Sequence, residues 1–174
     1  MEYKLRPWTI DDLDSLVENA NNHRIAQFMT DDFPFPYTRE DGEHFINFIA
    51  KYGDNTDFAI EINYQAVGGI GIHPQKGIMK KNAELGYWLG ENFWGHGIIT
   101  RAIKEMVDFA FGNYDITRVY ARPFGESNRP AASPGLAVPP GRAPRAGAPL
   151  PARPGRGRSG HTGSAAAPAS GWWR

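Results

Sequence analysis

The sequence predicts an α/β fold: a mixed, mostly antiparallel sheet with helices on both sides. Three observations carry that prediction. Residues 57–62 alternate polar and apolar positions, and the strand 67–72 follows after Asn63-Tyr64-Gln65, as in a hairpin. Residues 83–122 read as strand, glycine-rich turn, amphipathic helix and strand, a unit that requires a parallel pair. Before the hairpin, two helical stripes each follow a Thr with an Asp three residues on.

Taken in order, Tyr3 to Arg6 forms a short strand. Thr9 caps a helix whose inner face is Leu13, Leu16, Val17 and Ala20, with Asp12 returning a bond to the cap. Arg24 to Met29 holds a short second helix. Phe33-Pro34-Phe35-Pro36 is an extended loop, because each Pro disfavours helix at the residue before it. Thr38 and Asp41 repeat the cap ahead of a stripe of Phe45, Phe48, Ile49 and Tyr52. After the hairpin, residues 73–82 are a polar connection. Ala83, Leu85, Tyr87 and Leu89 then share one face of a strand, and Glu84, Gly86 and Trp88 the other. A helix starts at Ile98, with Ile99, Ala102, Ile103, Met106 and Ala110 inward, and Thr117 to Arg122 is the last strand.

The chain has 174 residues, 41% hydrophobic, enough for one domain with a real core. It contains no cysteine and no run of 18 apolar residues, so disulfide frameworks, thiolate metal sites and membrane spans drop out and a cytoplasmic location is expected. Its zero net charge conceals an asymmetry. All 19 acidic residues lie at or before Glu126, while seven of the 19 basic residues follow Asn128. From Arg129 onward, 28 of 46 residues are Ala, Pro or Gly. Such a segment buries too little apolar surface to offset its ordering entropy. The division is therefore a domain at 1–128 and a low-complexity, disordered tail at 129–174.

Chemistry concentrates at Asn92-Phe93-Trp94-Gly95-His96-Gly97, between a strand and a helix. Two glycines there let the backbone approach a ligand and turn free amides toward it, and the helix dipole favours an anion such as a pyrophosphate. A plain tight turn would use the same glycines. A dinucleotide fingerprint would need a third Gly where Thr100 stands, and a phosphate-binding loop of the NTPase type would need Gly-Lys-Ser/Thr. Neither is present. The histidines, His23, His44, His73, His96 and His161, lack metal-ligand spacing, so no metal is expected; His73 reads as a strand-end residue.

The blocks Ala83-Glu84-Leu85-Gly86-Tyr87-Trp88-Leu89 and Phe93-Trp94-Gly95-His96-Gly97-Ile98-Ile99-Thr100 resemble the GCN5-related N-acetyltransferases (GNAT). Within them the closest likeness is to the branch acetylating ribosomal-protein N-termini and its relatives acting on small amines. Leu5-Arg6-Pro7, Ile72-His73 and Arg118-Val119-Tyr120-Ala121 extend the resemblance over about residues 3–128. It implies acetyl-CoA as co-substrate, with the pyrophosphate on Gly95, His96, Gly97, Ile98, Ile99 and Thr100. Trp88 and Leu89 would lie beside the pantetheine and Asn128 near the arm. Asn92 replaces the family's Gln or Arg, and Arg101 stands where this branch often has Glu; a loop acting through backbone amides tolerates both. The resemblance also implies Glu84 as base for a primary amine, small or at a protein N-terminus, since an ammonium must lose a proton before it attacks. An ion-paired strand Glu is the other reading. Phe33, Phe35 and Tyr37 resemble the family's acceptor loop, or serve packing.

Ser127-Asn128-Arg129-Pro130-Ala131 begins the family's next motif, which then stops in the Ala/Pro/Gly/Arg-rich segment. That break suggests a frameshift or fusion and an incomplete C-terminal end, with poor solubility and weak turnover expected from an uncovered sheet edge. Two rival readings follow: a non-catalytic coenzyme A binder, and salt-dependent nucleic-acid binding by the tail arginines Arg142, Arg145, Arg153, Arg156 and Arg158. The acidic domain and the scarcity of tail aromatics argue against the second.

Overall fold

The computed structural model describes residues 1–52 and 56–122. The segment 129–174, its expected disorder, and Asn128 lie outside these residues. The elements run β1 (Lys4–Pro7), α1 (Leu13–Ala20), α2 (His23–Ala26), α3 (Arg39–Tyr52), β2 (Asp57–Ile62), β3 (Gln65–Pro74), β4 (Asn82–Leu89), α4 (Ile98–Asn113) and β5 (Arg118–Tyr120). The strands form one sheet in sequence order, antiparallel except for β4 and β5, which are parallel and joined through α4. This is the α/β sheet that the periodicities required.

The hairpin of β2 and β3 closes through Asn63 and Tyr64, both left-handed at φ 49° and 65°. Two such residues give a turn whose twist matches the strands it joins. Alternation then sorts the side chains onto two cores. Ile60, Ile70, Ile72, Leu85 and Leu89 pack against Ile98, Ala102, Met106 and Ala110 of α4. On the opposite face Trp8, Ala59 and Trp88 pack against Leu13 and Leu16 of α1 and Phe45 and Ile46 of α3.

Both predicted caps form. The Thr38 backbone N–H donates to Asp41 Oδ2 at 2.8 Å, and the Asp41 N–H donates back to Thr38 Oγ1 at 3.3 Å. At α1 the Thr9 N–H donates to Asp12 Oδ2 at 2.9 Å. Asp12 is buried and also accepts from both terminal nitrogens of Arg6 at 2.7 Å each, so the cap is tied to β1 by a bidentate ion pair.

Four boundaries or faces differ from expectation. The inner stripe of α3 is Gly42, Phe45 and Ile46, with Ile49 half-buried beside them, while Tyr52 is exposed and stacks on Phe48 at 5.1 Å. Closest helix approach sets that rotation: a Cβ on Gly42 would stand 2.7 Å from Leu13 Cδ1. The second helix spans His23–Ala26 because Asn22 caps it, its side-chain oxygen accepting from the Arg24 N–H at 2.8 Å. The connection between β3 and β4 is shorter than 73–82, since β3 pairs through Pro74 with Ala83. Finally, β5 is limited to three residues because it pairs only with Asn82 to Glu84.

Candidate active site

The end of β4 leads into the glycine loop. The Trp94 indole donates from Nε1 to the Leu89 carbonyl at 2.7 Å, fastening the loop to the strand. Gly95 and Gly97 are left-handed at φ 80° and 67°, a region where side chains are strained. Gly97 is the N-cap of α4 and offers no side chain to the helix amides. The first turn, Ile98-Ile99-Thr100, contains no acidic residue. Ile98 is buried and anchors the turn, while Gly95, His96, Gly97 and Thr100 are exposed and Ile99 is half-buried. The result is an exposed helix N-terminus with orphan amides and an unneutralised dipole, the combination that attracts an anion. The His96 ring lies at the surface, its Nδ1 3.3 Å from the Phe93 carbonyl.

The side chains of Trp88 and Leu89 enter opposite cores, so a ligand beside β4 would meet its backbone rather than these side chains. The parallel pairing ends at Glu84 and Tyr120. From Leu85 to Leu89, β4 therefore has no β5 partner among the described residues.

Glu84 lies where the parallel pairing ends. It is 5% exposed, and its two carboxylate oxygens accept from Arg122 Nε at 2.6 Å and a terminal Arg122 nitrogen at 2.9 Å. The Tyr120 hydroxyl donates to the same carboxylate at 3.4 Å. Burial and the adjacent Glu84 charge both push the Tyr120 hydroxyl above its ordinary pKa. The ion pair that the sequence left open for Glu84 is thus formed, with Arg122. On the neighbouring strand His73 stands opposite Glu84 in register, and on the next strand Asp57 stands opposite Gly71.

Sequence reasoning singled out neither Arg122 nor Tyr120 nor Asp57 for this site. The available signal was the two-residue spacing of Tyr120, the last residue of a strand parallel to the one bearing Glu84, and Arg122 just beyond it. Of the aromatic loop, Phe33 and Tyr37 are buried, with the Phe33 ring 5.3 Å from Tyr37 and 6.4 Å from Trp88. Phe35 is half exposed, and its ring lies against the surface ring of His23 at 5.4 Å. Two of the three are therefore packing residues.

Residues 3–130 match the family model described as the acetyltransferase (GNAT) domain. The uncharacterized N-acetyltransferase p20 of Bacillus licheniformis is 26% identical over 126 residues, covering 68% of this chain and 67% of that protein. Among solved structures, RimJ of Mycobacterium smegmatis in complex with CoA-disulfide superposes with a TM-score of 0.60 at 21% identity, covering 72% of this chain and 64% of that one. The ribosomal L7/L12 alpha-N-protein acetyltransferase RimL, in complex with coenzyme A, gives 0.58 at 20% identity and 72% coverage of each chain. These structural likenesses concern the fold, and among the described residues no helix is long and apolar enough to cross a membrane. With the strand, glycine loop and helix in place and the domain match running from residue 3 to residue 130, the chain belongs to the GNAT acetyltransferase family.

Proposed function

We propose that the protein transfers the acetyl group of acetyl-CoA to a primary amine, either a small molecule or the α-amino group of a protein N-terminus. The observation that carries this reading is the uncapped, glycine-opened N-terminus of α4, which follows the stretch of β4 that has no β5 partner among the described residues. Its donors are exposed backbone amides with no competing carboxylate in the first turn, which fits a pyrophosphate. Gly95, His96, Gly97, Ile98, Ile99 and Thr100 would hold that group, and the unpaired backbone of β4 through Trp88 and Leu89 would line the arm, with Asn128 near it. When bound, acetyl-CoA supplies the activated thioester carbonyl.

The chain's own contribution is to position the amine and to take its proton. Glu84, where the pairing of β4 with β5 ends, draws in the acceptor ammonium and receives one proton from it, directly or through a water molecule. Arg122 holds the carboxylate in position through two hydrogen bonds. Relatives named as N-acetyltransferases, and the RimL name in particular, support an amine acceptor and include a protein N-terminus. The cytoplasm is the proposed location, in keeping with a cysteine-free chain.

A second reading, coenzyme A binding without turnover, is favoured by one observation: both oxygens of Glu84 are already engaged. One experiment separates the two. Calorimetric titration of the full chain with acetyl-CoA should show binding, and the loaded protein should acetylate at least one member of a panel of small amines and peptide N-termini. Binding with no acetylated member would favour the second reading, and no binding would refute both.

A further inference from the structure

The face of the sheet that carries Glu84 also carries a feature outside the proposed chemistry. Asp57, Gly71, His73, Glu84 and Gly86 lie together on the face covered elsewhere by α1 and α3, because Asp57 pairs with Gly71, Gly71 with Gly86, and His73 with Glu84. The absence of a side chain on Gly71 creates the space in which two polar groups meet. A Cβ there would stand 2.3 Å from Asp57 Oδ1 and 2.9 Å from His73 Nε2. Those two atoms are 3.5 Å apart. His73 Nε2 is buried and has no hydrogen-bond partner among the described residues, and Asp57 Oδ2 is held by the Thr56 hydroxyl at 2.7 Å. The imidazole as a whole retains partial exposure, its side chain being 26% accessible.

Asp57 and His73 thus face one another across Gly71, beside a carboxylate engaged by Arg122. We propose that Asp57 and His73 form a proton-accepting pair that completes the site: the proton taken from the acceptor ammonium leaves Glu84 for His73. This rests on the acetyl-transfer reading above. Asp57, facing Nε2, favours the tautomer with hydrogen on that nitrogen and leaves Nδ1 with a lone pair. Cross-strand partners have Cβ atoms about 4.5–5.5 Å apart, within reach of transfer directly or through one water.

The step balances as follows. An N–H bond of the ammonium breaks, its electron pair stays on nitrogen, and the proton binds a Glu84 oxygen. Passage of that proton to His73 restores the Glu84 carboxylate and its pairing with Arg122, and gives an imidazolium facing the Asp57 carboxylate. The amine nitrogen forms its bond to the thioester carbon as the carbon–sulfur bond breaks, and its second proton goes to the departing thiolate. The imidazolium releases the first proton to solvent through its exposed edge. The charged or titratable groups beside His73 are Asp57 on β2 and, on the other side, Glu84 with Tyr120 and Arg122. Asp57 is a positioning residue in this scheme.

The test is steady-state acetylation by the full chain across about pH 6–9, comparing wild type with H73Q, H73N, H73A and D57N, with melting temperatures measured in parallel. The wild-type kcat/KM should rise along an acidic limb. H73Q and H73N should lower kcat/KM about 10–100-fold and flatten that limb, with KM for acetyl-CoA unchanged. Added imidazole should restore part of the rate to H73A, and D57N should show a smaller loss in the same direction. A wild-type profile with no acidic limb, a limb that persists in H73Q, or a loss that imidazole does not restore would each overturn the proposal while leaving acetyl transfer standing. Failure of the wild type to acetylate any amine would instead overturn the acetyl-transfer reading, and this one with it.

Discussion

Replacing Asp12 by alanine should cost about 3–5 kcal/mol, the range for removing one member of a buried ion pair. Asp12 is 4% exposed and accepts two parallel bonds from Arg6 at 2.7 Å and one from the Thr9 N–H at 2.9 Å. Arg6 keeps Glu61 as a partner, which moderates the loss, whereas the broken N-cap adds roughly 1 kcal/mol. At roughly 4 °C per kcal/mol, the melting temperature should fall by about 12–20 °C. The pH dependence has a definite sign. Burial alone would raise the Asp12 carboxyl, but the bonds from Arg6 and Thr9 outweigh it and hold the group below the ordinary carboxylate range. A depressed folded value means that the stabilisation is complete above about pH 4 and is lost as pH falls through the folded value. D12N keeps the shape and removes the charge, so it should be destabilised near neutrality and lack that acid-side loss. Denaturant unfolding of wild type, D12A and D12N at about pH 7 and about pH 3 measures both effects. A D12A loss under about 1 kcal/mol would refute the reasoning, because that is the size expected of a solvated surface pair.

Three further outcomes follow from the same geometry. G97A should lower the melting temperature by about 4–8 °C where the left-handed turn is kept, because alanine at φ 67° is strained by about 1–2 kcal/mol although its Cβ would meet nothing within 4 Å, or weaken acetyl-CoA binding about 5–30-fold by calorimetry where the loop relaxes out of that conformation. E84Q should lower kcat about 10²–10⁴-fold and leave acetyl-CoA binding intact, since an amide cannot accept the proton; an unchanged kcat would remove Glu84 from the chemistry. W88A should cost about 3–5 kcal/mol in urea unfolding, because the indole fills the space over Gly69, whose Cβ would lie 2.8 Å from Trp88 Nε1, and packs against Phe33.

Much of the scaffold was legible because it rests on local rules. The alternation at 57–62, the Asn63-Tyr64 turn and the strand 67–72 that follows fix a hairpin within 16 residues. Thr9 with Asp12, and Thr38 with Asp41, announce their caps by spacing alone. The glycine loop and the start of α4 at Ile98 were equally readable, since Gly95 and Gly97 mark left-handed backbone and the apolar period changes at once from 2 to 3.6. Less legible was the rotation of α3, where Gly42 rather than a large apolar residue marks the contact with Leu13. A stripe drawn through Phe48 and Tyr52 counts hydrophobicity, whereas helix packing selects closest approach.

The sequence by itself determined the order and kind of the elements, the position of the glycine turn that opens α4, and the presence of Glu84 on the strand leading to it. Only the tertiary structure decided what Glu84 faces. Its partners Arg122 and Tyr120 lie 38 and 36 residues away along the chain, His73 stands opposite it in register on another strand, and Asp57 meets His73 over Gly71. The physical reason is register. Side chains alternate strictly along a strand, so a slip of one residue between β3 and β4 would send His73 to the opposite face from Glu84, and that register is set by which apolar residues must be buried across the whole sheet at once.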